Sequence, residues 1–279
     1  MTLSNRKTPG MIAFKIARTL VLLCATFLIF VPLVVMLSST FKPDSQLYDF
    51  PMRIIPKTPT LANFKELLDR FPRYTFNSIK LTVIIVLVQL ITATTGAYAF
   101  SKLRWKGRDL VFILYVVSIM IPVQSIIIPQ FLIIRGMGLY NTHWALILTG
   151  AFSAFGTFLI KQYFMTIPDS YIEAAHIDGA NDFRIFVQIV IPLAKPVFAT
   201  QIIFAFRYFW NDFFAPLIYI TSQHLKTLPL GMSDFANEFY TYRGPQMAAS
   251  FISIIPVMII FMSAQKYFVE GVAASGVKG

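Results

Sequence analysis

Four stretches of the chain, Thr19–Leu37, Leu81–Phe100, Leu110–Ile134 and Met247–Ala264, contain no charged residue. Each approaches the roughly 20 apolar residues that a helix needs to cross a hydrocarbon layer about 30 Å thick. Two further stretches come near. Trp144–Ile160 is charge-free but short, and Asn141, Thr142 and His143 extend it into the interface. Pro196–Thr221 is interrupted by Arg207 and Asp212. With charged residues at 13% and hydrophobic ones at 56%, too little polar surface remains to cover a water-soluble core. The expectation is an all-α membrane protein: one transmembrane domain over 1–279 with six transmembrane helices, near 16–37, 78–100, 109–134, 142–163, 196–221 and 246–266.

The first stretch follows Arg6, Lys7, Lys15 and Arg18, as the apolar run of a signal peptide does. It is longer than such a run and lacks an A-x-A-like site, so it reads as a retained first span. Pro32, Pro122, Pro129, Pro216 and Pro256 fall inside spans, where kinks are expected and neighbouring helices re-satisfy the freed carbonyls. The net charge of +11 forms no stripe with interleaved aromatics, as a groove binder requires, so no nucleic acid is expected. Lys and Arg flank the apolar runs instead, which points to the lipid bilayer. Six spans put both termini on one side, and the compact loop carrying Lys102, Arg104, Lys106 and Arg108 favours that side being cytoplasmic. Cys24 stands alone in an apolar run and has no disulfide partner.

Between the spans, Ser38–Thr75 is broken by Pro43, Pro51, Pro56 and Pro59. Its second part, Leu61–Phe71, places Leu61, Phe64, Leu67, Leu68 and Phe71 at helical spacing, with Lys65, Glu66, Asp69 and Arg70 left for water. An amphipathic helix on the outer interface and a partner-docking surface both fit. The segment 166–195 is too polar to span. There Asp169 or Ser170 is expected to cap a helix through Tyr171–Ile177, Gly179 to permit a positive-φ turn, and Asp182 to cap a second helix that Pro192 helps to end. Ala174 and Ala175 make one face of this knob small.

Arg207, Trp210, Asn211 and Asp212 form a polar patch in the fifth stretch. Ionisable groups at membrane depth face a bundle interior or a watery cavity. Tyr208, Phe209 and Trp210 beside them suit stacking on sugar rings, so the patch is either a translocation path or a subunit seam. Gln89, in the second stretch, reads as a hydrogen-bonding contact between helices or as part of the same path.

The string IPDSYIEAAHIDGANDFRIFVQIVIPLAKP resembles the signature of permease subunits of binding-protein-dependent ABC importers: Glu-Ala-Ala, three residues, Gly, nine residues, Ile, one residue, Leu-Pro. Here it falls on Glu173, Ala174, Ala175, Gly179, Ile189 and Pro192, with Ile191 in place of the Leu. YAFSKLRWKGRD, IPQFLIIRGMGLYNTHWALIL, WNDFFAPL, TLPLGM and the terminal GVAASGVKG extend the resemblance over nearly the whole chain, toward the MalG-type permeases of the carbohydrate branch. The resemblance implies a type I ABC importer permease fold in a bacterial inner membrane, not an enzyme. It also implies that Glu173, Ala174, Ala175, Asp178, Gly179, Arg184, Ile189 and Pro192 form a loop coupled to the ATPase. The implied partners are a homologous second permease, two ATP-binding subunits, an extracytoplasmic solute-binding protein and a sugar substrate. The loop Ser222–Pro245 would meet the binding protein or be an unconstrained surface loop. The tail Gly271–Gly279 would reach between the ATPase subunits or be a frayed end.

No G-x-x-x-x-G-K-[ST] loop occurs, so ATP and Mg²⁺ are expected on the partner subunits and no cofactor in this chain. No Ser/His/Asp or Cys/His set is apparent. His143, His176 and His224 fall in different segments and give metal ligation no support. Two other function classes are a secondary sugar transporter, expected to show internal repeats and broken helices, and a membrane assembly protein without a solute cavity. No convincing repeat is found.

Overall fold

The computed structural model describes residues 9–68, 71–235 and 243–276. Of the residues singled out above, Arg6, Lys7, Asp69, Arg70 and the last three of the tail lie outside them. All regular structure among the described residues is helical. Four helical stretches are long and apolar enough to cross a membrane, and two bent pairs raise the number to six if each pair is one span.

The chain divides into two compact units. The first contains α1 (Pro9–Thr40), a loop, α2 (Ala62–Leu67) and residues 243–252. α1 exposes apolar side chains along its length, from Phe14 and Val21 to Phe27 and Leu28, as a helix facing lipid or another chain does. The loop is ordered by buried polar groups. Asn63 donates to the carbonyls of Thr40 (2.8 Å) and Lys42 (2.9 Å), and the Lys42 ammonium donates to the Arg53 carbonyl (2.5 Å). α2 is shorter than the expected Leu61–Phe71 helix. Its inward residues are Asn63 and Leu67, while Leu61 and Leu68 are exposed and Phe71 begins the next helix. The polar Asn63 displaces the apolar stripe because two loop carbonyls need its amide.

The second unit is built around α3 (Phe71–Ser101), against which α6 (His143–Gly150), α7 (Ala154–Phe164) and α11 (Lys195–Trp210) pack. Small residues permit the close approach: Ala93 and Ala97 of α3 are fully buried, and a Cβ on Gly96 would sit 3.4 Å from Thr157 of α7. α4 (Arg108–Val117) and α5 (Val123–Gly136) complete the third stretch. Pro122 does more there than kink a helix, because the segments on its two sides are bent by 102°. The fourth stretch is also divided, at Ala151–Ser153, and the fifth ends α11 at Trp210 before resuming as α12 (Phe214–Tyr219).

Between α7 and α11 the 166–195 segment folds as α8 (Asp169–Ile177), a turn at Gly179, α9 (Asp182–Ile185), a π-helical turn over Phe186–Val190 and α10 (Ile191–Leu193). Gly179 takes φ +79°, as expected of the lone glycine. The caps differ from expectation. Pro168 precedes α8, so Asp169 lies inside its first turn, and Asn181, whose side chain accepts from the Arg184 N–H, caps α9 in place of Asp182. Pro192 does not end a helix by itself; the chain turns by 76° at Ala194, between Pro192 and Pro196.

Candidate functional site

Three interruptions of apolar helices meet at one cavity of about 1080 Å³ in the second unit. The break after Ile121 supplies Val123 and Gln124, that after Gly150 supplies Phe152 and Ser153, and that after Trp210 supplies Asn211, Asp212 and Phe213. A helix that stops within an apolar stretch leaves backbone groups unpaired, which lipid does not tolerate but a water-filled cavity does. Side chains take over several of these groups. Asp212 Oδ1 accepts from the N–H groups of Phe214 (3.0 Å) and Ala215 (3.2 Å), which starts α12. Ser153 Oγ accepts from the Gly156 N–H at 2.9 Å and starts α7.

The carbonyls left at the end of α6 are held from α3. Gln89 Nε2 donates to the Gly150 oxygen (3.0 Å) and Thr92 Oγ1 to the Ala151 oxygen (2.7 Å). Gln89 Oε1 in turn accepts from Gln201 Nε2 of α11 at 3.1 Å. Both amides are buried, and Gly156 gives Gln201 its room: a Cβ there would lie 2.6 Å from Nε2. Among the described lining residues only Arg207 and Asp212 are charged, one of each sign, and Phe204, Tyr208 and Phe209 add aromatic surface. Such a wall suits an uncharged, hydroxyl-rich solute that offers hydrogen bonds at its edges and C–H groups on its faces.

A second constellation lies at the other end of α3. Lys102 is almost fully buried and donates to the Ile167 carbonyl (2.7 Å) and Asp169 Oδ1 (2.6 Å), fixing the start of α8. The hydrogen bond from Lys102, reinforced by its charge, holds the Asp169 carboxyl below the usual carboxylate range. Tyr98 donates from its hydroxyl to the Asp182 carbonyl at 3.2 Å, fixing α9. Ala175, Ile185 and Val190 are buried in a core with Ala97, Ile160 and Phe164. Outward stand Glu173, Ala174, Asp178, Gly179, Arg184 and Pro192, with Ile177 at 87% and Phe183 at 75% exposure flanking the Gly179 turn.

The sequence profile described as binding-protein-dependent transport system inner membrane component matches residues 89–273, which contain this knob and most of the cavity wall. The chain belongs to that family. The permease is 30% identical to the arabinooligosaccharides transport system permease protein AraQ of Bacillus subtilis, over 98% of this chain and 99% of the relative. It is 35% identical to the galactooligosaccharides transport system permease protein GanQ of the same organism, over 89% and 90%. A crystal structure of a bacterial ABC transporter involved in import of the acidic polysaccharide alginate contains a chain with 26% identity and a TM-score of 0.84, covering 96% of this permease and 100% of that chain. The permease is thus a non-catalytic multi-pass subunit of the inner membrane, and ATP is bound by a partner ATPase.

Within the permease, the residues read as one polar patch separate. Arg207, Asn211 and Asp212 line the cavity, together with Gln89. Trp210 does not: its ring is buried, stacks on Phe206 and donates from Nε1 to the Ser253 carbonyl at 2.9 Å, so it is unavailable to a sugar. Ala175 also differs from expectation, since it points into the core and leaves Ala174 as the small exposed residue. Ile189 is half-buried against the same core. Sequence reasoning passed over Gln201, Gln124 and Gln130, although an amide alone in an apolar run is the same signal that singled out Gln89. It also passed over Lys102 as the anchor of the knob. Within Ser222–Pro245, residues 224–228 are tied to α3: Asn77 donates to the carbonyls of His224 and Lys226, and Leu228 N–H to Ser78 Oγ. The broken helices expected of a secondary transporter occur here in an ABC-type permease.

Proposed function

We propose that this permease, paired with a homologous second permease, lines the path by which a carbohydrate is imported, and that the α8–Gly179–α9 knob receives the stroke of two ATP-binding subunits. The observation that carries this is the knob itself. Its inner side is clamped to α3 through Lys102 and Tyr98, while its outer side presents Ile177 and Phe183 beside Glu173. Large apolar side chains so exposed outside the spans call for a protein partner. The tight Gly179 turn lets that partner approach the backbone, and Glu173 supplies a charge for a basic group.

A stroke on the knob reaches α3 and, along that rigid helix, Gln89 and the cavity. Closure of the ATPase pair would favour one arrangement of the broken spans over the other by making better contacts with it. This reading places both termini in the cytoplasm and the loop Ser222–Pro245 toward an extracytoplasmic solute-binding protein. The tail Gly271–Gly279 then lies on the ATPase side. The carbohydrate class is supported by the near-neutral, amide-lined and aromatic cavity and by the sugar-transporting relatives.

The test is uptake and ATP turnover in vesicles containing the complete transporter, with a panel of labelled oligosaccharides. Glu173→Lys and Gly179→Pro are expected to reach the membrane in normal amounts yet uncouple ATP turnover from uptake. Normal transport in both would refute the coupling role.

A further inference from the structure

The turn between α3 and α4 carries four cations, Lys102, Arg104, Lys106 and Arg108, and they are not used alike. Lys102 points back into the protein, onto the start of α8. Arg108 is taken by the Asp109 carboxylate (2.9 Å) and the Leu103 carbonyl (3.2 Å), and the ion pair leaves little net charge. Arg104 and Lys106 are exposed and make no hydrogen bond or ion pair with any described residue. Arg104 lines an open cavity of about 370 Å³ together with Trp105, Gly107, Arg108, Asp109 and Leu110. Lys161 of α7 adds positive charge nearby, its ammonium 3.9 Å above the Phe112 ring of α4. Trp105 donates from Nε1 to the Ala99 carbonyl at 3.1 Å and sets its ring against Phe100, which fixes one wall of the cavity. Leu110, on another wall, begins an apolar face: with Val111, Ile113, Leu114 and Val117 it is 45–63% exposed, as a helix facing hydrocarbon is. A cavity with uncompensated positive charge is thus continuous with a lipid-facing surface.

We propose that this cavity binds the headgroup of an anionic phospholipid, with Arg104 and Lys106 on its phosphodiester and its acyl chains along α4, and that the lipid braces the turn from which Lys102 holds the knob. The planar guanidinium of Arg104 suits two phosphate oxygens at once, and Lys106 adds a flexible point charge. Basic residues beside a span attract anionic headgroups in this way. A zwitterionic headgroup brings a cation of its own, which the charges of Arg104 and Lys106 disfavour. A soluble phosphate would satisfy those charges but leave the apolar face of α4 uncovered. The proposal goes beyond the reading above by adding a ligand of this subunit, and it rests on that reading only for the leaflet, the cytoplasmic one.

The test uses the complete transporter, purified through this chain with its partner subunits and reconstituted in phosphatidylcholine nanodiscs without nucleotide or sugar. The probes are phosphatidylglycerol and phosphatidylcholine carrying the same photoactivatable acyl chain, each added as a minor component, and the labelled peptides are mapped. Labelling of α4 is expected to be roughly tenfold stronger from phosphatidylglycerol, as two cations near a membrane surface allow. In the double variant Arg104→Gln, Lys106→Gln it is expected to fall to the phosphatidylcholine level at an unchanged melting temperature, since both side chains are exposed. Equal labelling of the wild type by the two probes would overturn the proposal without reference to any variant. Undiminished labelling in the double variant would overturn it as well, and no labelling of α4 at all would mean that another subunit covers this face. Loss of labelling to inorganic phosphate, at an ionic strength matched with chloride, would assign the cavity to a soluble anion instead. Hydrogen exchange across α8 reads the brace. It is expected to be several-fold slower with unlabelled phosphatidylglycerol in the disc than with phosphatidylcholine alone, and identical exchange in the two lipids would remove that part of the proposal. Neither measurement uses ATP turnover or uptake, so its failure and the failure of the coupling role are separate results.

Discussion

Where α3 passes the cavity it is locked by two buried amides and by glycines with no space for a methyl group. Where it ends, it carries the knob through one buried lysine, one tyrosine hydroxyl and a small apolar core, and everything beyond that core is exposed. The wall is thus specified by shape, because breaks in three helices must be satisfied at fixed points. The knob is specified by its outward chemistry, because its role is contact with something else. A single long helix joins a region that tolerates little steric change to one that tolerates much.

The largest effect expected from this contrast lies in the wall. In Gly150→Val the added Cβ would meet Ile85 at 2.6 Å and the Phe209 ring at 2.9 Å. Overpacking of this kind costs about 1–3 kcal/mol, so a drop of several degrees in the melting temperature of the detergent-purified protein is expected. Ile177→Ser on the knob should leave the same melting curve within error. Equal losses in the two variants would break the comparison. Next comes the knob's surface: Ile177→Asp together with Phe183→Asp is expected to reduce recovery of the ATPase subunits with the tagged permease about tenfold, the loss of ~1.4 kcal/mol of contact, at unchanged melting temperature.

A smaller effect is expected at the joint. Lys102→Met removes the donor shared by Ile167 and Asp169, and a loss of about 1 kcal/mol should appear as faster hydrogen exchange across α8 with none across α6. The smallest is its pH dependence. Because the Asp169 carboxyl is held below its ordinary range, the pair's contribution is complete above about pH 4 and is lost as pH falls through the lowered folded value. The melting difference between wild type and Asp169→Asn should therefore be present at pH 7 and shrink under acid conditions. A difference that grew on acidification would contradict the assignment.

What was legible in the sequence follows the same divide. Gly179 announced its turn because a lone glycine between two short helices has few other uses, and the apolar runs of α1 and α3 declared themselves by length. Gln89 stood out as an amide without neighbours. The breaks were less readable. Nothing near Ala151 predicts that the helix stops there, since Gln89 and Thr92, some sixty residues earlier, make the stop tolerable. Likewise Asn181 takes the cap expected of Asp182, and Trp210 turns inward because Phe206 and the Ser253 carbonyl provide for its ring and N–H. Local windows report propensity, but these outcomes were decided by groups distant in the chain.

The three breaks around the cavity also bear on isotope chemistry. An unbroken helix in hydrocarbon shields its amide protons twice, by its own hydrogen bonds and by the absence of water. At Phe152 and Phe213, which lie in the breaks and line the cavity, the backbone has left the helix and the cavity brings solvent to it. Deuterium placed on either side of the bilayer therefore has an entry point in the interior of the chain, and the side from which it arrives faster reports which way the cavity faces at that moment.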